Sequence, residues 1–326
     1  MKIAIIGAGA MGCLYGGKLS TVPDNQVFLL DVWKEHVNAI NKEGLCMEEN
    51  GELLHYHNLT ATTEAATVGV VDLVIIFVKS ILTRQAVEGN KAVFGDNTMA
   101  LTLQNGMGNV ESIGSQIGAK NVMAGTTAHG ATMLGPGKIR HAGVGKTMIG
   151  ELSGVRSKRI NEIAEVFSAA GLEVEVSENV LGLVWDKLLV NVGINALTGI
   201  TKLTNGELLA YPEIEGILEE AVREGVAVAN AKGIVLGHAD PVAHTKAVCK
   251  ATAANKSSML QDVLNHKPTE IDMINGAVVR EGKNTGVATS VNQVLCGLIH
   301  YLERERQGIQ FDGYQHERTL RHLEPD

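Results

Sequence analysis

An apolar run, KIAII at residues 2–6, leads directly into Gly7, Gly9 and Gly12, spaced G-x-G-x-x-G, and then into a helical stretch from Met11 to Leu19. A second β run, Gln26 to Leu30, ends in Asp31. Each part has a physical reason. The glycines permit a tight turn, close approach of backbone to a pyrophosphate, and packing of the helix on its strand, while the helix N-terminus offers free N–H groups and a favourable dipole. The acid that closes the second strand can accept hydrogen bonds from both ribose hydroxyls of NAD and repels a 2′-phosphate. Strand, glycine turn, helix, strand and acid together specify a dinucleotide site formed by Gly7, Gly9, Ala10, Met11, Gly12 and Asp31. NAD(H) is the favoured cofactor. NADP(H) stays open, with Lys34 as the nearest cation able to meet a phosphate.

Further apolar segments at Asp72 to Val78, Thr98 to Leu103 and Val122 to Thr126 are bounded by turn residues and read as buried parallel strands. Residues 135–150 alternate glycine-rich turns with short β runs, which suggests an antiparallel extension at the far edge of the sheet. Beyond residue 178 the texture becomes helical: Leu181 to Leu197, Glu213 to Lys232, Pro241 to Ala253, Ser257 to Leu264, Thr269 to Gly282 and Val291 to Arg306. The expected fold is α/β, an N-terminal Rossmann-type doubly wound sheet over residues 1–178, followed by an all-α helical domain over 179–306. The polar stretch 307–326 is expected to be a peripheral or disordered tail.

Bulk properties narrow the function. The formal charge is −8, from 28 Lys plus Arg against 36 Asp plus Glu, so the basic footprint of a nucleic-acid binder is missing. Cys13, Cys46, Cys249 and Cys296 are far apart, spaced neither as a zinc site nor as a disulfide framework, so no metal is expected. The N-terminal apolar run is short for a signal peptide, and no stretch is read as reaching spanning length, which points to a cytoplasmic chain without a membrane partner. Homodimerisation is left open.

Lys187, Asn191 and Asn195 recur at i, i+4 and i+8, with Thr198 near the same line, and form a polar stripe on an otherwise apolar helix. An ammonium beside carboxamides suits a keto acid, although contact with another element or solvent would account for the stripe equally well. Lys79 closes the strand DLVIIFVK, and Asn105 follows another strand in QNGMG. Both are placed at the carboxyl edge, where open α/β sheets bind ligands. The bland readings are a solvated lysine and an Asn-Gly turn.

Several longer phrases carry a resemblance. WDKLLVNVGINALTGI at 185–200, TNGEL at 204–208, NKSSMLQDV at 255–263 and HKPTEIDMINGAVVREG at 266–282, with GAGAMG near the start and LQNGMGNVE at 103–111, resemble the ketopantoate reductase family in family order. The resemblance implies reduction of 2-dehydropantoate to pantoate, with Lys187 as general acid and Glu270 hydrogen-bonding the reacting hydroxyl and placing the lysine. It also implies that Asn191, Asn195, Asn205, Asn255 and Ser258 bind substrate, and that Asn105 touches substrate and cofactor. Lys79, from its place at the strand end, is expected to contact the nicotinamide ribose or the substrate. Asp262 and His129 read as structural.

Asp31 departs from the NADP-dependent members, which carry a basic residue there. That departure keeps a second reading alive, an NAD-dependent D-2-hydroxy-acid dehydrogenase of the mandelate type. A non-enzymatic NAD(H) sensor fits less well because it needs no proton donor, and a polyol-phosphate dehydrogenase would call for clustered basic residues in the helical half.

Overall fold

In the computed structural model, residues 1–306 are described; the tail expected at 307–326 lies outside them. The first half runs β1 (Lys2–Ile6), α1 (Ala10–Leu19), β2 (Gln26–Leu30), α2 (Lys34–Glu43), β3 (Leu45–Glu49), β4 (Glu52–Tyr56), β5 (Leu59–Thr62), β6 (Leu73–Ile76), α3 (Thr83–Gly89) and β7 (Met99–Thr102). It continues with α4 (Asn109–Ile117), β8 (Val122–Thr127), β9 (Gly130–Gly135), β10 (Lys138–Gly143), β11 (Thr147–Glu151), α5 (Lys158–Ala169) and β12 (Val174–Val176). The second half is helical: α6 (Val180–Thr201), α7 (Pro212–Ala231), α8 (Pro241–Ala251), α9 (Ser258–Leu264), α10 (Asn275–Thr285) and α11 (Ser290–Arg306).

Eight strands form the main sheet in the order β12-β11-β8-β7-β6-β1-β2-β5. From β8 to β5 every pairing is parallel, with Ile5 opposite Leu29 on one side and Ile75 on the other. Such strands are covered on both faces, so they read as unbroken apolar runs. Leu73, Val74, Ile75 and Ile76 are all buried.

The glycine-rich stretch divides differently from expectation. Only β11 extends the main sheet, antiparallel to β8. β10 instead joins β9, β3 and β4 in a separate four-stranded sheet. α1 is sandwiched between the two sheets. A Cβ at Gly16 would meet Leu29 and Ile5 of the main sheet, and one at Gly17 would meet Met47, Tyr56 and Leu45 of the small one. A helix pressed from both sides has no use for a polar face, which is why α1 is apolar almost all round.

α6 is the axis of the helical half, packed by α7, α8, α9 and α11. It is long and apolar enough to cross a membrane by composition, against the expectation that no stretch reaches that length, but 67% of its most apolar window is buried inside the protein. The helix expected from Thr269 to Gly282 is broken. Ile271–Met273 is one 3₁₀ turn, Ile274 leaves helical geometry at φ −109°, ψ −92°, and α10 starts at Asn275. Glu270 therefore belongs to a turn and not to the first turn of a helix.

Candidate active site

The carboxyl ends of β1, β6, β7 and β8 open into a cleft of about 930 Å3, walled on its far side by α6, α9 and the Glu270 turn. Gly7 sits at φ +96°, and a Cβ there would lie 2.7 Å from the Val78 nitrogen. At Gly12 a Cβ would lie 2.0 Å from the Gly7 carbonyl oxygen. Gly9 is different, because nothing lies within 4 Å of the place its Cβ would take. Two glycines close the turn and the middle one leaves the floor bare, a cradle suited to a pyrophosphate. Ala10, Met11 and Asp31 line the same end. The Asp31 carboxylate accepts from Ala8 N–H at 2.8 Å through Oδ2 and from Trp33 N–H at 2.9 Å through Oδ1.

At the other end, Lys187 reaches the cleft from α6. Its Nζ donates to the Thr127 carbonyl at 2.9 Å, and what exposure it keeps opens into the cleft. Burial pulls its pKa down from 10.5 to about 8, and the negative charge of nearby Glu270 partly offsets that fall. Glu270 is buried and accepts from Ser80 N–H at 2.9 Å. Lys79 Nζ donates to Asp262 Oδ2 on α9 at 2.7 Å and lies 3.7 Å from Glu270 Oε2. Burial pushes the Asp262 carboxyl up, against the pull of Lys79.

Of the residues singled out from sequence, the cleft brings together Gly7, Gly9, Ala10, Met11, Asp31, Lys79, Asn105, Lys187, Ser258 and Glu270. Gly12 lies just beneath, against Gly7. Asn191, Asn195, Asn205 and Asn255 do not line it. Asn191 and Asn195 follow Lys187 along α6, partly and fully buried, and the stripe ends in a hydrogen bond of 2.7 Å between Thr198 and Ser257, the cap of α9. Asn205 is a brace. Its backbone N–H donates to the Asn255 carbonyl at 3.0 Å and its Nδ2 to Thr252 at 2.9 Å, which fixes the turn before Ser258.

Sequence reasoning missed a polar network under the cleft. Ser80 Oγ donates to the Asn105 carbonyl. Asn109 Nδ2 reaches Ser80 Oγ at 3.2 Å and that carbonyl at 3.1 Å. Thr83 donates to Asn109 Oδ1 at 2.8 Å and accepts from Gln104 at 2.8 Å. Gln104 and Asn109 lie inside the LQNGMGNVE phrase, the first just past an apolar strand and the second at the start of α4, so their polarity there was an available signal. The Asn-Gly turn is also real. Gly106 has φ +79°, a Cβ there would meet the Met273 carbonyl at 2.6 Å, and Met107 N–H donates to the same oxygen at 2.8 Å.

His129 lines the cleft as well. Its Nδ1 is 3.0 Å from His141 Nε2, whose Nδ1 is 2.6 Å from Glu49, itself paired with Lys18 at 2.7 Å. Burial lowers the His129 pKa, with His141 adding to the shift. Nothing local in the sequence announces this chain, since it depends on the pairing of β3 with β10. Among the described residues no group of three or more His, Cys, Asp or Glu could hold a metal ion.

A dinucleotide cradle facing a buried lysine and carboxylate across one cleft defines a nicotinamide-dependent oxidoreductase scaffold. Residues 3–154 match the family described as ketopantoate reductase PanE/ApbA, and residues 179–303 match its C-terminal part. The chain belongs to the ketopantoate reductase family, NAD(P)H-dependent oxidoreductases acting on CH–OH groups. It is 36% identical to a 2-dehydropantoate 2-reductase of Halobacterium salinarum over 94% of this chain and 100% of that one. A solved ketopantoate reductase of Ralstonia eutropha superposes with TM-score 0.87 at 34% identity, covering 94% of this chain and 100% of that one. D-mandelate dehydrogenase, solved with NADH and anilino(oxo)acetate, also superposes at TM-score 0.87, at 31% identity and 94% and 99% coverage.

Proposed function

We propose that this chain reduces the keto group of 2-dehydropantoate to give pantoate, with residues 1–178 holding the cofactor and 179–306 completing the substrate site. The observation that carries this is Lys187, a partly buried lysine whose pKa falls to about 8 under the opposing influence of Glu270, in the cleft that also contains the glycine cradle. Gly7, Gly9, Ala10, Met11 and Gly12 would hold the pyrophosphate, Asp31 the adenosine ribose, and Lys79 and Asn105 the nicotinamide end; the bound nicotinamide supplies the hydride. NADH is the preferred form, because Asp31 is fixed by two backbone N–H groups and cannot swing away from a 2′-phosphate.

The ammonium of Lys187 has three donors. One is committed to the Thr127 carbonyl, which leaves the others for Glu270 and the keto oxygen. Negative charge growing on that oxygen is stabilised by the ammonium, which then transfers a proton to it and is left as a neutral amine. Glu270, held by Ser80 N–H, keeps Lys187 charged and receives the product hydroxyl. Ser258 and Asn255 take the carboxylate end, Asn191 and Asn195 extend the polar wall along α6, and Asn205 acts by holding the Asn255 turn.

Asp31 and the structural likeness to D-mandelate dehydrogenase support a second reading, an NAD-dependent D-2-hydroxy-acid dehydrogenase. Initial rates with ketopantoate, 2-ketoisovalerate and phenylglyoxylate, each with NADH and NADPH, separate the two. A preference for ketopantoate supports the first, and a preference for phenylglyoxylate replaces it with the second.

A further inference from the structure

Glu270 faces two cations: Lys79 forms a long ion pair with it, Nζ standing 3.7 Å from its Oε2, and Lys187, beyond ion-pair distance, feels its charge through space. Lys79 does not close on Glu270 because Asp262, reaching over from α9, accepts from Nζ at 2.7 Å. Asp262 and Glu270 keep only 10% and 7% of their side chains exposed, so neither charge is screened by bulk water, while Lys79 keeps 39% and has room to move. We propose that Asp262 is a positioning residue: by holding Lys79, it reserves Glu270 for Lys187.

This rests on the assignment of Lys187 as the acid and adds a reason for a carboxylate that touches no reacting atom. With Asp262 neutral, the nearest carboxylate for Lys79 is Glu270, and a shift of about 1 Å would convert a 3.7 Å approach into a charge-assisted hydrogen bond. Glu270 would then divide its field between two cations, and Lys187 would lose part of the only influence that holds it up against burial. Other charged or titratable groups near the cluster are Lys267, which acts on Asp262, Glu303 of α11, whose Oε1 accepts from Thr269 N–H at 2.8 Å, and His129 in the opposite wall. Lys267 and His129 offer Lys79 no anion, and Glu303 is engaged by the Thr269 backbone.

The test is the titration of Lys187 followed by the 13Cε shift of labelled lysine in the full-length protein, assigned with Lys187→Met. In Asp262→Asn the Lys187 pKa should fall by about one unit, the order one nearby charge exerts. In Lys79→Met it should stay or rise. The double variant should return it towards the wild-type value. Asp262→Ser serves as a second neutral replacement if the asparagine variant does not fold. An ion pair acting only as a strap between α9 and the Lys79 loop would make the two single variants act alike, because both cut the same bond. That result, or an unmoved titration in both neutral variants, overturns the proposal. Lack of keto-acid turnover by the wild type, with the titrations as expected, would sink the functional reading and leave the role of Asp262 standing.

Discussion

The pH dependence of turnover is the sharpest consequence of where Lys187 sits. A lysine with its ordinary pKa of 10.5 remains almost wholly protonated through pH 9, so a reductase using it would show no alkaline loss there. With the pKa near 8, the protonated fraction is about nine-tenths at pH 7, half at pH 8 and one-tenth at pH 9. Reduction should therefore fall about tenfold between pH 7 and 9, while oxidation of the hydroxy acid, which needs the neutral amine, should rise over the same interval. Single-turnover hydride transfer, followed by NADH absorbance at saturating substrate, isolates this step from product release. Glu270→Gln removes the charge that holds the pKa up, so its break should move to lower pH as the rate drops. A flat profile for hydride transfer from pH 7 to 10, or an unchanged break in Lys187→Met, refutes the assignment of the proton to Lys187.

The same burial should be visible in stability. The folded pKa is about 8 against an ordinary 10.5, so between those values the unfolded chain binds the extra proton and stability rises with pH. Below pH 8 the full penalty is present, up to about 3.5 kcal/mol for 2.5 units at about 1.4 each; Lys187→Met should raise the melting temperature at pH 7 and gain nothing at pH 11. The glycines should separate into two classes. Gly9→Ala should fold with little change in melting temperature yet weaken NADH binding in a fluorescence titration, whereas Gly12→Ala, aimed at the Gly7 carbonyl, should lose both. Asn205→Ala should raise KM more than it lowers kcat, because it removes the Nδ2 bond to Thr252 that steadies the Asn255 turn, keeps the backbone bond and touches no reacting atom; an equal loss in kcat would place it closer to the chemistry.

Legibility followed the range of the interactions. The glycine turn, β1, β2 and Asp31 are contiguous, and their spacing alone identified the cradle. The helices from α6 to α9 carry unbroken 3.6-residue patterns and were read to within a few residues. β3 and β4 are not legible locally: β3 pairs with a strand some 90 residues away and β4 with β3 alone, and Glu48, Glu49 and Glu52 look like a polar loop until His141 and Arg140 stand opposite Glu49 and Glu48. The break at Ile274 was hidden for a similar reason, since the TEIDMING phrase has helical composition and its turn is held by Met107 and Ser80 from the other half of the chain. Lys187 stands out locally as the head of a polar stripe on α6, but its role as acid and that of Glu270 come only from the family phrases; their meeting depends on how α6 faces that turn, which no local periodicity encodes.

The two backbone hydrogen bonds to Asp31 bear on how such a chain could change cofactor over evolutionary time. One of them, from Ala8, comes from inside the glycine turn itself. The carboxylate to which the proposed preference for NADH is assigned is thus also a fastening of the glycine turn. Exchanging it for a basic residue would invite the phosphate and loosen its seat in the same step. A lineage passing from NADH to NADPH would have to secure Ala8 by another means first, so cofactor choice at this position is guarded by the architecture of the turn and not by the charge of one side chain alone.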